Sequence, residues 1–155
     1  MAEITRAEEL DPLSLIISSV HGWIYYEGRE FDRALYQFTK TLEKDLKYVP
    51  ALLDLGASYL RNGEYSKAIS KFEVAKTADG ETGRILADLA QAYALSAQKS
   101  EALKTLHRLE HPLKAGFVST WDLSLVHIAS GDKTRAIELL EKPPMNEWDG
   151  SSCWE

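Results

Sequence analysis

Four alanines, Ala34, Ala68, Ala102 and Ala136, stand 34 residues apart with no gap between them. Four more columns keep the same step. Gly22, Gly56, Ala90 and Ser124 lie twelve residues before the alanines, and Tyr25, Tyr59, Tyr93 and His127 nine before. Leu35, Ile69, Leu103 and Ile137 follow by one residue, and Phe38, Phe72, Leu106 and Leu140 by four. A period of this length restricts the fold to stacked copies of one supersecondary unit, since a single unit cannot bury its own apolar face. Each unit has room for two amphipathic helices, as in Leu52, Leu55, Gly56 and Tyr59 at i, i+3, i+4 and i+7. Turn residues separate them: Gly28, Asn62-Gly63, Asp79-Gly80 and Ser130-Gly131-Asp132, with Pro112 and Pro143-Pro144 as further stops. The spacing predicts an all-α chain with helices at about 13–27, 31–44, 49–62, 65–77, 83–96, 99–111, 117–130 and 133–142. Small residues in the glycine and alanine columns let paired helices approach. Large residues in the phenylalanine column fill the space between neighbouring units.

The second unit, LLDLGASYLRNGEYSKAISKFEVA at 52–75, resembles the tetratricopeptide repeat (TPR), whose pattern runs L-G-x-x-Y and then G-x-Y-x-x-A-x-x-x-F-x-x-A. Leu55, Gly56, Tyr59, Gly63, Tyr65, Ala68, Phe72 and Ala75 fall on it; the first unit follows through Gly22, Tyr25, Phe31, Ala34 and Phe38. The resemblance covers about residues 13–142 and implies a right-handed TPR superhelical solenoid with repeats at about 15–48, 49–82, 83–116 and 117–143. Residues 1–12 are then an N-terminal lead-in, and 145–155 a tail that caps the last helix or stands apart from it. Three flanking stretches, LDPLS (10–14), GWIYYEGREFDRAL (22–35) and VSTWDLSLVHIASGDKTRAIELLEK (118–142), are similar to the C-terminal TPR region of certain bacterial regulators. In those proteins the repeats follow a CadC-like winged-helix domain, a protein kinase or an adenylyl cyclase. The resemblance implies a non-catalytic adaptor or regulatory part. A type III secretion-type TPR chaperone, of similar length and repeat number, is the alternative.

Composition narrows the function classes. An apolar fraction of 45% and a charged fraction of 27% over 155 residues describe a folded domain. A net charge of −6 argues against nucleic acid, whose phosphates call for a basic stripe. The longest uncharged run, Pro12 to Tyr26, has 15 residues, short of the roughly 20 that a membrane span needs. MAEITRAEELDPLSL lacks the basic and apolar regions of a secretory signal, and the single Cys153 leaves no internal disulfide; the expected compartment is the cytoplasm. Phosphate-cradling glycine loops and the nucleophile elbow are absent from the sequence, so no cofactor and no enzyme activity are expected.

One stretch competes with that reading. HRLEH at 107–111 spells the H-x-x-E-H motif, in which His107 and His111 could grip a zinc ion with Glu110 as general base. In the 34-residue register, however, these residues form the end of a helix whose Leu106 and Leu109 face inward and whose His107, Arg108 and Glu110 face out. His111 before Pro112 suits the negative end of the helix dipole. His21 and His127 fall on packing columns. The zinc enzyme is therefore a remote alternative, and the expected metal complement is none.

The resemblance also implies which residues meet a partner. In TPR proteins the first helices of the units line a concave groove. The corresponding positions here include Ser19, Trp23, Tyr26 and Glu27, then Leu53, Asp54, Ala57, Leu60 and Arg61. They continue with Arg84, Ala87, Asp88, Gln91 and Leu95, and finish with Trp121, Asp122, Leu125 and Ile128. Asp54, Asp88 and Asp122 are again 34 apart. A row of carboxylates beside aromatic side chains suits a protein or peptide with basic and apolar groups; local pairing, for instance with Arg84, is the other reading. Ser19 and Trp23 stand where chaperone-tail receptors of the family carry Lys and Asn, so a heat-shock-protein carboxylate is not the expected ligand. The end helices, with Trp148 and Trp154 in the tail, leave a homo-dimer open.

Overall fold

The computed structural model describes residues 2–110 and 120–141, and among them every regular element is an α-helix. They are α1 (Ala2–Leu10), α2 (Leu15–Glu27), α3 (Phe31–Lys44), α4 (Val49–Arg61), α5 (Tyr65–Asp79), α6 (Gly83–Leu95), α7 (Lys99–Glu110), α8 (Thr120–Ser130) and α9 (Lys133–Glu141). Four antiparallel hairpins, α2/α3, α4/α5, α6/α7 and α8/α9, stack in chain order. Tail residues 145–155 and the 117–119 start expected for the seventh predicted helix lie outside the described residues.

The repeat shows first in the turns. Arg29, Gly63, Ala97 and Gly131 all have positive φ, from 59° to 88°, and stand 34 residues apart. At each turn two backbone bonds recur: Arg29 N–H to Tyr26 O at 3.0 Å and Glu30 N–H to Tyr25 O at 2.9 Å in the first, Ala97 N–H to Ala94 O at 3.2 Å and Gln98 N–H to Tyr93 O at 2.9 Å in the third. These are Schellman closures, which satisfy the last carbonyls of the first helix through one left-handed residue. In the first unit that residue is Arg29 rather than the expected Gly28, whose φ is −71°. Ser14 and Thr82 cap α2 and α6 by accepting from Ile17 N–H and Ile85 N–H at 3.3 and 3.4 Å.

Packing follows the columns. Ala34, Ala68, Ala102 and Ala136 are all buried, as are Phe38, Phe72 and Leu106. A Cβ added at Gly22 would lie 2.5 Å from Cε1 of Phe38, and one at Gly56 would press on the Phe72 ring in the same way. Where the large residue shrinks to Leu106, the small one grows to Ala90, and both are buried. Volume across each hairpin is thereby conserved, as close packing requires. Leu140 departs from its column at 48% exposure. The first helix of the next unit follows each of its counterparts, whereas α9 is the last described helix.

Residues 1–12, expected as a lead-in, contain a helix that periodicity did not predict. AEITRAEEL offers only Ile4 and Ala7 as half-buried apolar side chains, and nine residues are too few for an isolated helix to persist. Tertiary contacts hold it. Glu8 Oε2 meets Nδ1 of His21 at 2.8 Å, and Gln37 Nε2 donates to Glu8 Oε1 at 2.6 Å. Gln37 reaches on to Ser18 Oγ at 3.2 Å, and Thr41 Oγ1 to the same oxygen at 2.8 Å. The result is a buried polar seam joining α1, α2 and α3.

Candidate functional site

Stacking the hairpins lines the first helices, α2, α4, α6 and α8, side by side. Outside its own hairpin the last pair differs from the others: α8 packs chiefly against α6, while α4 and α6 pack chiefly against the second helix of the preceding unit. A cleft of about 360 Å³ lies along these first helices. Its lining comes from all four helices: Tyr26 from α2; Ala57, Leu60 and Arg61 from α4; Arg84, Asp88, Gln91 and Leu95 from α6; Trp121 and Leu125 from α8. The small Ala57 leaves room that Tyr26 and Trp121 bound with aromatic rings.

Hydrogen bonds and ion pairs fix the polar groups. Nε of Arg61 donates to the Tyr26 hydroxyl at 3.1 Å, tying α4 to α2, and that bond together with the charge of Glu27 raises the arginine's pKa above its already high value. Arg84 Nε pairs with Asp88 Oδ2 at 3.1 Å, one turn apart on α6. Asp54, on α4, occupies the register position of Asp88 one unit earlier. Burial pushes its carboxyl up to about 6, and the positive charge of Arg84 opposes the shift without cancelling it. The guanidinium of Arg84 thus serves two of the three aspartates, one by contact and one through space.

Of the residues that the sequence assigns to partner contact, Tyr26, Ala57, Arg61, Arg84, Asp88, Gln91, Trp121 and Leu125 come together in the cleft. Trp23 lies one turn before Tyr26 on α2 and is 51% exposed. Leu53 packs against the buried core, and Asp54 is half-buried beside the cleft rather than in its lining. The side chain of Asp122 lies outside the described residues. Ile16 and Val20 are exposed on the same face of α2 as Trp23, and the sequence reading passed over them. The register could have found them, since they stand 34 residues before Pro50 and Asp54.

HRLEH belongs elsewhere. Leu106 and Leu109 are buried, His107 is exposed, and Arg108 forms an ion pair with Glu81 that ties α7 to the turn before α6. The Glu110 side chain and His111 lie outside the described residues. Among the described residues no group of three His, Cys, Asp or Glu side chains is placed to share an ion. His21 and His127 are buried at 7% and 6% exposure, on the packing columns where the register put them. No described helix is long and apolar enough to cross a membrane.

Comparison with known proteins bears on the fold. Residues 51–83 match the tetratricopeptide repeat family. No curated protein sequence matches the chain. A tetratricopeptide repeat protein from Parabacteroides merdae is similar in structure with a TM-score of 0.71 and 19% identity, over 89% of this chain and 54% of that one. MamA of AMB-1 is similar with a TM-score of 0.62 and 21% identity, over 74% of this chain and 62% of that one, so this chain spans less than two thirds of that relative. The first TPR of Spaghetti, solved bound to the HSP90 peptide SRMEEVD, gives a TM-score of 0.63 and 16% identity over 83% and 94% of the two chains. The architecture is an all-α TPR solenoid, a fold whose relatives include a peptide-binding protein.

Proposed function

We propose that this chain is a non-catalytic interaction module that holds a segment of another protein in its concave cleft. The observation that carries the reading is the cleft itself, to which four successive units each contribute side chains from their first helix. Its two aromatic walls and its fixed charges are what orient a peptide: large rigid rings supply contact area, and positioned polar groups set register. The Spaghetti repeat, with its bound peptide, supports this use of the fold. The flanking stretches that resemble bacterial regulators support a place in a signalling or transcription protein, as its adaptor or regulatory part.

The ligand proposed is a segment with apolar anchors and a basic group. The anchors fit Trp121, Leu125 and Leu95, and the basic group faces the aspartate column. Asp88 already holds Arg84, so an incoming cation competes with that arginine or shares its carboxylate. Panning a random peptide library against the immobilised chain, then measuring the enriched sequences by calorimetry, tests the reading. Trp121→Ala is expected to weaken the selected peptides at least tenfold with helicity unchanged. A library that enriches nothing, or peptides indifferent to Trp121→Ala and Arg61→Ala alike, would remove the cleft from consideration.

A further inference from the structure

The face of α2 that carries Ile16, Val20 and Trp23 repeats the register of the cleft with different chemistry. Ile16 stands in the column of Arg84, Val20 in that of Asp54 and Asp88, and Trp23 in that of Ala57, Gln91 and Leu125. On α6 the first two of these positions hold an ion pair one turn apart; on α2 they are aliphatic. Ile16, Val20 and Trp23 are 68%, 43% and 51% exposed, and one turn after Trp23 comes Tyr26 of the cleft lining. From Pro12 to Tyr26 the chain carries no Asp, Glu, Lys or Arg. A charged ligand residue placed on this face would shed water and meet no opposite charge on α2 up to Tyr26, whereas an apolar one would gain by burial.

We infer that the groove selects a bipartite extended segment: an aromatic or aliphatic residue seated on α2 and, about six residues away, a lysine or arginine at Asp88. The inference rests on the cleft reading above and adds to it a second subsite, a composition and a spacing. The spacing follows from the helices. α4 touches both α2 and α6, and packed helices have axes about 8–10 Å apart, so α2 and α6 stand about 20 Å apart across α4. At about 3.3 Å per residue an extended chain covers that distance in about six residues, whereas a helix, rising about 1.5 Å, needs about thirteen. The extended segment orders fewer residues, and each ordered residue costs conformational entropy. Val20 and Trp23 are then the specificity residues of the α2 subsite. They admit an apolar side chain where Asp88, in the column of Val20, admits a cation.

Selection from a displayed library of random peptides about sixteen residues long tests this on the wild-type chain and on Val20→Asp, which carries the aspartate column onto α2. Peptides enriched on wild type are expected to place an apolar residue about six positions from a lysine or arginine. On Val20→Asp the apolar position is expected to become basic. For one wild-type peptide measured by calorimetry, Trp23→Ala is expected to weaken binding at least about tenfold, and to leave unchanged a peptide truncated to its basic half. Helicity is expected to hold in both variants, since both side chains are about half exposed. Peptides that depend on Trp121 but ignore Val20→Asp and Trp23→Ala would overturn the inference and leave the cleft reading standing, whereas a library that enriches nothing would remove both. A spacing of about thirteen residues would overturn it by placing a helix in the groove. A chain whose self-association is lost on Val20→Asp, with peptide selection unchanged, would overturn it by giving the face to a second copy.

Discussion

Gly56→Ala sets two effects of similar size against each other, so its sign is informative. Alanine in a helix interior is favoured over glycine by about 1 kcal/mol. At this position the new methyl would lie 2.7 Å from Cζ and 2.8 Å from Cδ1 of Phe72, with Cε1 nearer still. Carbon contacts relax at about 3.5–4.0 Å, so the ring must retreat by about 1 Å. Phe72 has no exposed surface, and any retreat is passed to its neighbours. Overpacking of this kind costs about 1–3 kcal/mol, and we expect a net loss of about 1–2 kcal/mol. Phe72→Leu alone leaves a void and costs a similar amount. The two changes together reproduce the Ala90/Leu106 pair that the third unit already uses. The double variant should therefore recover most of the loss, with a coupling energy of about 1–3 kcal/mol. Urea denaturation followed by far-UV circular dichroism measures all four corners of the cycle. Additive losses, or a Gly56→Ala variant more stable than wild type, would refute size compensation as the reason for the glycine column.

Three further outcomes follow from individual groups. Ala97→Gly relieves a left-handed alanine at φ 62° and should stabilise the chain by up to about 1 kcal/mol in thermal melts, while the same change at exposed, right-handed Ala78 should destabilise it. Asp54 has a folded pKa raised from 3.8 to about 6, so its contribution to stability is fully present below 3.8 and is lost as the pH rises through 6. Asp54→Asn should accordingly stabilise by about 1–2 kcal/mol at pH 7, a discounted share of the full shift, and the gain should vanish by about pH 4. Glu8 has its pKa lowered: burial opposes the shift, and hydrogen bonds from His21 and Gln37 with the charges of His21 and Lys40 prevail. Its stabilisation is present above 4.5 and is lost as the pH falls through the depressed value, so Glu8→Gln should lower the melting temperature at pH 7 and converge on wild type in acid.

Most of the helices were legible because packing repeats a volume requirement at fixed spacing. Gly22, Ala34 and Phe38 meet across one hairpin, and the same three positions recur in the next units, so a period in sequence is a period in space. Two features escaped for the converse reason. The α1 helix has no counterpart in any other unit; its hydrogen bonds to the solenoid come from Glu8, a polar residue whose partners lie 13 and 29 residues away. The left-handed turn position was legible as glycine at Gly63 and Gly131, but Arg29 and Ala97 adopt it without the residue type that announces it. There the two Schellman hydrogen bonds outweigh the local preference of the side chain.

The cleft was legible in a different sense. The family resemblance implied which positions of each first helix line a groove, and the ten residues that line the cleft are among the eighteen it gave. It could not say how their charges are divided. Asp54, Asp88 and Asp122 look equivalent in sequence, yet Asp88 touches Arg84 and Asp54 is half-buried with a raised pKa. Equal spacing therefore did not yield equal chemistry. The difference arises because only one unit places an arginine four residues before its aspartate. At positions 50 and 118 the sequence has Pro and Val, while Arg84 stands alone in that column. A carboxylate half-buried with no side-chain hydrogen bond or ion pair among the described residues is a standing cost to the fold, and the positive charge of Arg84, which Asp88 holds, lowers that cost. If a ligand cation draws the Asp88 carboxylate toward itself, the positive charge of Arg84 acts more strongly on Asp54. Binding of a basic segment should then lower the pKa of Asp54, and by linkage its affinity should rise between pH 5 and 7. Asp54→Asn should abolish that rise while leaving the affinity at about pH 5 unchanged; a pH profile that persists in the variant would assign the titration to another group.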